Sequence, residues 1–139
     1  VNRSTYYRHF SAKQDVVRHF YRLRIDEYLS TVTGDISAQT YFTGMFESFL
    51  RYKKELILLD RRGLSFLLLE ELNARIAQVH GNSKAAVRSL ACNYHIGGVY
   101  NSFRYWLLED MATPPDKLAR QCLMFLPRDF CPYLLPKSK

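Results

Sequence analysis

The chain has 139 residues, 47% of them hydrophobic and 14% aromatic, a composition that fits one helical domain with an attached fragment and excludes a low-complexity chain. Its 20 lysine and arginine residues outnumber 13 aspartate and glutamate residues, giving a net charge of +7. Basic charge attracts polyanions such as nucleic acid, but it does not by itself identify one.

The cysteines and the hydropathy pattern narrow the class of protein further. Cys92, Cys122 and Cys131 are odd in number and widely spaced, which argues against a disulfide framework. No run of residues approaches the roughly 18 apolar residues of a membrane span, and the start of the chain does not resemble a signal peptide. We therefore expect a cytoplasmic protein that does not associate with a membrane.

Two helices are predicted at the start of the chain. Asn2 can cap a helix over residues 3–9, and Ser11, with Gln14 three residues later, forms a capping box for a second helix to about Thr31. Four residues at helical spacing predict the apolar side of this second helix: Val16, Val17, Phe20 and Leu23. Three basic residues on it are expected to be solvated: Arg18, Arg22 and Arg24.

The middle of the chain predicts three more helical segments. A break at residues 33–35 precedes Ser37, which can cap a helix to about Tyr52. Residues 56–59 are a buried apolar run, and the helical character of the neighbouring segments favours a helical turn over a strand. Gly63 permits another break, after which leucines at helical spacing predict a further helix.

One long helix is predicted over residues 83–111, with two apolar stripes. One stripe contains Cys92, Ile96, Val99, Phe103 and Trp106. The other contains Ala86, Leu90, Tyr94 and Gly97. A helix that is apolar on two sides is buried on two sides, so we expect one side to face the core and the other a partner subunit. Gly97 and Gly98 would allow that partner to approach closely.

A final helix is predicted to begin at Pro115, with Asp116 completing a capping box. Leu118, Cys122 and Phe125 form its predicted apolar face. No strand or hairpin signal is convincing in the chain, so the predicted fold is all-α.

The two ends of the chain resemble a known family. The first segment has the pattern Val1-x-x-x-Thr5-x-Tyr7-x-His9-Phe10-x-x-Lys13-x-Asp15. It is similar to the end of the helix-turn-helix of TetR-type transcriptional regulators. The stretch from Gly97 through Trp106 to Pro115 and Leu118 is similar to the last two helices of many TetR-type ligand domains. The resemblance implies a helical ligand-binding and dimerisation bundle preceded by the end of a helix-turn-helix domain.

This resemblance divides the chain into three parts. Residues 1–31 would be a remnant of the helix-turn-helix domain, containing the recognition helix and the connecting helix. Residues 36–127 would be the ligand-binding and dimerisation domain, and residues 128–139 a C-terminal tail. A helix-turn-helix also needs a bracing helix, so either the protein is shortened at Val1 or residues upstream of Val1 complete the motif.

The resemblance assigns DNA contacts to seven residues of the first segment: Arg3, Ser4, Thr5, Tyr7, Arg8, His9 and Lys13. It gives base-edge or sugar contacts to Arg3, Ser4 and Thr5, and phosphate contacts to Tyr7, His9 and Lys13, while Arg8 suits either role. The chemistry agrees, because a guanidinium can bind a guanine edge with two hydrogen bonds and the other groups reach backbone oxygens. The alternative is a solvated basic helix. Tyr6 and Phe10 are expected to pack in the core.

Six aromatic and methionine residues are candidates for lining a pocket for a small-molecule effector: Tyr41, Met45, Phe49, Phe66, Tyr94 and Phe103. Helical domains build such pockets between their helices. The alternative is ordinary core packing, which is the usual role of aromatic residues at helical spacing.

Neither a metal site nor a catalytic site is predicted. Cys92 and His95 share a helix face, but zinc needs further ligands, and nothing orients the imidazole for nucleophilic chemistry. Four acidic residues are expected on solvated helix faces: Glu55, Asp60, Glu70 and Glu71. With no glycine-rich phosphate loop either, we expect no cofactor and no enzymatic activity.

The function implied by the resemblance is ligand-responsive transcriptional regulation. The partners would be double-stranded operator DNA, a small-molecule effector and a second copy of the chain bound through the last two helices. Effector binding would shift the connecting helix and release a repressor from its operator. The alternative is a helical ligand-sensing or co-regulator module that does not itself bind DNA.

Overall fold

The computed structural model describes residues 3–80 and 86–126, and these ranges contain six helices and no strand. The helices are α1 Arg3–Thr31, α2 Ala38–Leu50, α3 Lys53–Arg61, α4 Phe66–His80, α5 Ala86–Leu108 and α6 Pro115–Leu123. The all-α prediction is therefore confirmed. Several predictions fall outside the described part, namely those on Val1, Asn2, residues 81–85, residues 128–139 and the side chains of Tyr6, Tyr7, Phe10, Ala86 and Cys92.

The start of the chain forms one helix of 29 residues, so the predicted break at Ser11 is wrong. Ser11 lies inside α1 and is exposed. Serine favours a cap position, but inside a helix it costs well under 1 kcal/mol relative to alanine. Residues 3–31 contain neither glycine nor proline, so no residue with a strong helix-breaking preference ends the helix before Thr31.

The side of α1 that packs on the core differs from the predicted one. Its buried residues are Tyr21, Ile25, Tyr28 and Leu29, with Val17 and Phe20 partly buried beside them. Val16 and Leu23 are exposed. At about 100° per residue these two share a face turned about 150° from Tyr21, which explains why they lie in solvent.

Helix ends in the middle of the chain follow local chemistry. Ser37 caps α2 as predicted, because its Oγ accepts a hydrogen bond of 3.1 Å from the Thr40 amide. Residues 56–59 are helical in α3, as predicted, but the run is not buried throughout, because Leu58 is 52% exposed. Gly63, with a φ of 71°, follows the end of α3. The Gly63 amide donates to the Asp60 carbonyl and the Leu64 amide donates to the Leu59 carbonyl, both at 2.9 Å. These two bonds define a Schellman motif.

The α6 capping box predicted from Asp116 is wrong. The residue before α6 is Pro114, which has no side-chain hydrogen bond to offer, and Asp116 instead faces Arg120 at 3.1 Å. Thr113 bonds to the Glu109 carboxylate. Pro115 does occupy the first turn, as predicted. Helix α6 therefore begins through proline geometry rather than through a side-chain cap.

The helices surround one hydrophobic core. Helix α1 packs on α4, α2 on α6, and α5 on α4 and α3. The two helices α1 and α4 run parallel, because Arg18 pairs with Glu70 and Asp26 with Arg75. The largest fully buried side chains are Trp106, Tyr21, Phe42, Phe46, Leu56 and Leu67. Trp106 also donates to the Thr113 carbonyl at 2.8 Å, which joins the end of α5 to the segment before α6.

Candidate functional site

The residues predicted to contact DNA lie on the first three turns of α1, well ahead of its first buried residue, Tyr21. Five are exposed, namely Arg3, Ser4, Arg8, His9 and Lys13, and Thr5 is half-buried. The side chain of Tyr7 lies outside the described residues. This segment presents guanidinium, ammonium, hydroxyl and imidazole groups to solvent, all of which can donate hydrogen bonds to phosphate or base oxygens.

These residues do not share one face of the helix. Arg3 precedes Tyr21 by 18 residues, five full turns, so it lies on the side of α1 that packs on the core further along. Ser4, Thr5, Arg8 and His9 lie on the other side, because each is turned by about 100° or more from that direction. A surface that meets α1 from its solvent side therefore meets Ser4, Thr5 and Arg8 together.

Further along α1, two of the three arginines are less solvated than expected. The side chains of Arg18 and Arg24 are only 29% and 19% exposed, whereas that of Arg22 is 57% exposed, as expected. Arg18 pairs with Glu70. Arg22 forms two hydrogen bonds with Glu71, of 3.1 and 3.2 Å, and Glu71 raises the pKa of its guanidinium. Arg24 lies over the rings of Phe20 and Tyr52, with its guanidinium carbon 5.3 and 4.0 Å from their centroids. The start of α1 thus carries three of its four exposed lysine and arginine residues, Arg3, Arg8 and Lys13, and Arg22 is the fourth.

Two acidic residues, Glu71 and Asp60, are less exposed than predicted, whereas Glu70 is exposed as predicted. Glu71 is buried by the pairing with Arg22. The side chain of Asp60 is only 10% exposed, and its Oδ1 accepts hydrogen bonds from Ser65 at 2.7 Å and from Arg104 at 3.1 Å. The solvated faces predicted for Asp60 and Glu71 are therefore wrong. Their partners come from other segments of the fold, and no spacing in the sequence reveals them.

Four of the six predicted effector-binding residues come together in the core: Tyr41, Met45, Phe49 and Phe103. Their rings are packed, with 5.4 Å between the Phe49 and Phe103 centroids and 5.7 Å between those of Tyr28 and Tyr41. Phe66 and Tyr94 do not join them, since 41% and 77% of these residues are exposed. The contacts of the four buried residues match core packing, and effector binding by them stays a prediction.

The buried hydroxyl of Tyr41, on α2, has no hydrogen-bond partner among the described residues. Burial raises its pKa. Tyr28, by contrast, donates to the Tyr41 carbonyl at 2.5 Å. A buried hydroxyl without a partner costs about 1–3 kcal/mol. An acceptor from another molecule that bonded to Tyr41 would recover part of that cost.

An exposed apolar face runs along α5 and α6. Among the described residues, six large ones on it are more than half exposed: Leu90, Tyr94, Tyr105 and Leu108 on α5, and Met124 and Phe125 just after α6. A cavity of about 500 Å³ opens between the two helices, lined by Gly98, Ser102, Leu118 and Cys122 among others. Leu118 is buried and Cys122 half-buried, as expected for the inner face of α6, whereas the prediction that Phe125 shares that face is wrong.

The stripes predicted on α5 differ in burial. Ile96, Phe103 and Trp106 are buried and Val99 is half-buried, so this stripe faces the core. On the other, Leu90 and Tyr94 face solvent in the single chain. Methyl groups added at Gly97 or Gly98 would meet no atom within 4 Å. The glycine pair inside a helix costs roughly 1 kcal/mol per residue relative to alanine, and packing among the described residues does not require it.

The pair Cys92 and His95, for which no metal site is predicted, lies only partly within the described residues. The Cys92 side chain lies outside them, and the His95 ring meets the Tyr94 ring edge-on at 5.7 Å. Across the described ranges, no three His, Cys, Asp or Glu side chains are grouped as metal ligands. None of the helices there combines the length and the apolar character needed to cross a membrane.

Comparisons of the chain with protein-family models, curated proteins and solved structures found no match.

Proposed function

We propose that this chain is a ligand-responsive, DNA-binding transcriptional regulator of TetR type. The observation that carries the proposal is the exposed basic start of α1, where Ser4, Thr5 and Arg8 share the solvent side of a helix that continues into a packed helical core. Phosphate oxygens attract such a surface through counterion release. Base edges in a major groove accept hydrogen bonds from the same residue types. A regulator of this kind works in the cytoplasm.

DNA binding is tested with the full-length protein and a library of duplexes, followed by gel-shift assays on the enriched sequence at several salt concentrations. We expect a palindromic site whose affinity falls steeply with salt. Tyr7→Phe removes one phosphate donor and should weaken binding while circular dichroism stays unchanged. No binding at low salt would overturn the proposal.

The regulator is proposed to act as a homodimer through α5 and α6. The six exposed apolar residues of this face and the Gly97–Gly98 pair, which no other described residue covers, support a second helix packed closely on α5. Small residues let two helix backbones approach each other. Symmetric pairing of the same face from two copies is the commonest oligomer geometry.

Dimerisation is tested by light scattering after size-exclusion chromatography, where the wild-type chain should have about twice the monomer mass of 16.4 kDa. Leu108→Glu should give a monomer, because it places a charge in the proposed interface. The matched control is Val16→Glu on α1, a residue of similar exposure (70% against 73%), which should leave the dimer intact. A wild-type monomer at micromolar concentration would exclude this interface.

The effector is proposed to bind in the helical core beside Tyr41, and to shift the population of α1 orientations in the dimer so that the operator is released. The buried Tyr41 hydroxyl without a partner supports a ligand with a hydrogen-bond acceptor. Thermal-shift screening of a metabolite library should yield stabilising compounds, and Tyr41→Phe should weaken their binding. Hits unaffected by Tyr41→Phe would place the effector elsewhere.

The second candidate function is a helical ligand-sensing or co-regulator module that does not bind DNA. The continuity of α1 through Ser11 favours it, because a recognition helix is normally separated from the following helix by a turn. Binding of effector by a full-length protein that fails to bind any duplex would support this alternative.

A further inference from the structure

Three ion pairs connect α1 to α4, and their order along the two helices is specific. Arg18 pairs with Glu70, Arg22 with Glu71 at 3.1 Å, and Asp26 with Arg75 at 2.7 Å. Along α1 the signs are plus, plus, minus at every fourth residue. Along α4 the facing signs are minus, minus, plus. We call these six residues the charge ladder.

The apolar contacts of α1 are less specific about register. Val17, Tyr21, Ile25 and Leu29 are apolar at every fourth position and face the core. Sliding α1 by four residues, about 6 Å along its axis, would replace three of these four side chains by another of the four, and the remaining one by Lys13 or Thr33. The four-residue spacing therefore keeps most of these positions apolar in a neighbouring register.

The charge ladder opposes a neighbouring register of α1 on α4. If α1 slid so that Arg22 faced Glu70, then Asp26 would face Glu71 and the third pair would be lost. If it slid the other way, Arg18 would face Glu71, but Arg22 would face Arg75. Each slide converts three attractive contacts into one attractive and one repulsive contact.

We propose that the charge ladder fixes the register of α1 on α4, so that the two helices move as one unit and the basic start of α1 keeps a fixed axial position on the bundle. A rearrangement in the core then moves the start of α1 by tilting α1 and α4 together, and not by sliding α1 along α4. The proposal concerns contacts within the chain. It does not depend on DNA binding, and its failure would leave the proposed function standing.

Reversing single charges gives opposite predictions for the two partners of the central pair. In Arg22→Glu, the register with Arg18 facing Glu71 and the introduced carboxylate facing Arg75 has two attractions and no repulsion. In Glu71→Arg, the register with Arg22 facing Glu70 and Asp26 facing the introduced guanidinium has the same balance. The exchange Arg22→Glu with Glu71→Arg restores three attractions in the native register alone.

The experiment measures distances by double electron–electron resonance between spin labels at His9 and Asn73, on the full chain with its three cysteines replaced by serine. We expect one narrow distance for the unaltered ladder. Arg22→Glu should add a population up to about 6 Å shorter, Glu71→Arg one up to about 6 Å longer, and the exchange should return the single distance. The exchange Asp116→Arg with Arg120→Asp on α6 is the control and should leave the distance unchanged.

If the charge ladder only stabilised the fold and did not set the register, the two single reversals would have a different result. Both single reversals would then lower the melting temperature while the distance stayed the same, and that result would overturn the proposal. Circular dichroism identifies a variant that fails to fold, and the exchange variant still decides the question, because only register specificity predicts that it restores the distance.

Discussion

Gly63 and Asp110 occupy equivalent positions after two helices. Both have left-handed backbones, with φ of 71° and 55°. The Asp110 amide donates to the Leu107 carbonyl at 3.0 Å and the Met111 amide to the Trp106 carbonyl at 2.8 Å, so α5 ends in the same Schellman motif as α3. At one site the residue is glycine, which adopts this backbone without strain. At the other it is aspartate, which does not.

Exchanges at these two positions should therefore change stability in opposite directions. Gly63→Ala should lower the free energy of unfolding by about 1 kcal/mol, and Asp110→Gly should raise it by about 0.5–1 kcal/mol. A methyl group at Gly63 meets no atom within 4 Å, so the loss comes from the backbone alone. Urea denaturation followed by circular dichroism measures both values. Equal signs for the two variants would contradict this explanation.

Tyr28 should make the fold sensitive to alkaline pH. Burial, with a smaller contribution from Glu47, raises the pKa of Tyr28 to about 12, whereas the unfolded value is about 10. Between these values the unfolded chain loses the proton and the folded chain keeps it, so the free energy of unfolding falls as pH rises. Tyr28→Phe should cost about 1 kcal/mol at pH 7 through the lost bond to the Tyr41 carbonyl. It should also flatten the decline above about pH 10 in urea titrations. Parallel declines in both proteins would exclude this role.

At the scale of the helices, Gly97 and Gly98 destabilise α5, and no contact among the described residues explains their presence. Gly98→Leu adds a good helix former in open space, so it should stabilise the monomer by roughly 0.5–1 kcal/mol. In the proposed dimer the same side chain would separate the two α5 helices. We expect a higher melting temperature at concentrations below the dimer dissociation constant, and a monomeric elution volume at higher ones. A Gly98→Leu protein that still dimerises would place the interface elsewhere.

Several elements were predictable from local sequence. Ser37 and Gly63 mark helix ends by hydrogen-bonding and backbone preferences that act within a few residues, and the periodic stripe of Ile96, Phe103 and Trp106 identified the buried side of α5. Ser11 was misleading, because a capping residue permits a helix to begin without requiring the previous one to end.

The contacts between elements were not predictable in the same way. Arg18 and Glu70 are 52 residues apart, and Asp60 meets Arg104 across 44, so their pairing depends on how α1, α3, α4 and α5 pack. For the candidate site, the sequence predicted the residue types of the basic segment, and the structure shows that most of them are exposed. Their contacts with DNA stay a prediction, because recognition depends on a partner surface.

At the scale of the whole molecule, the uneven charge predicts how salt should act on DNA binding. Each phosphate contact releases a counterion, so removing one should reduce the slope of log affinity against log salt by about 1. We expect Arg8→Gln to do so, measured by fluorescence anisotropy on a labelled duplex. Arg120→Gln on α6 removes an equal charge from an exposed site and should leave the slope unchanged. Equal effects would mean that net charge, and not the start of α1, governs binding.

The length of α1 has a mechanical consequence. Its 29 residues span about 44 Å at 1.5 Å per residue, and the part ahead of Val17 accounts for roughly 20 Å of it. Core packing holds one half of this rod, so the other half acts as a lever arm. A tilt of about 5° where the rod is held displaces its far end by roughly 2 Å over that length. In a symmetric dimer, two such displacements would double the change in the distance between the starts of the two α1 helices. A small rearrangement among buried rings would then be enough to misalign the two helices with successive major grooves of DNA.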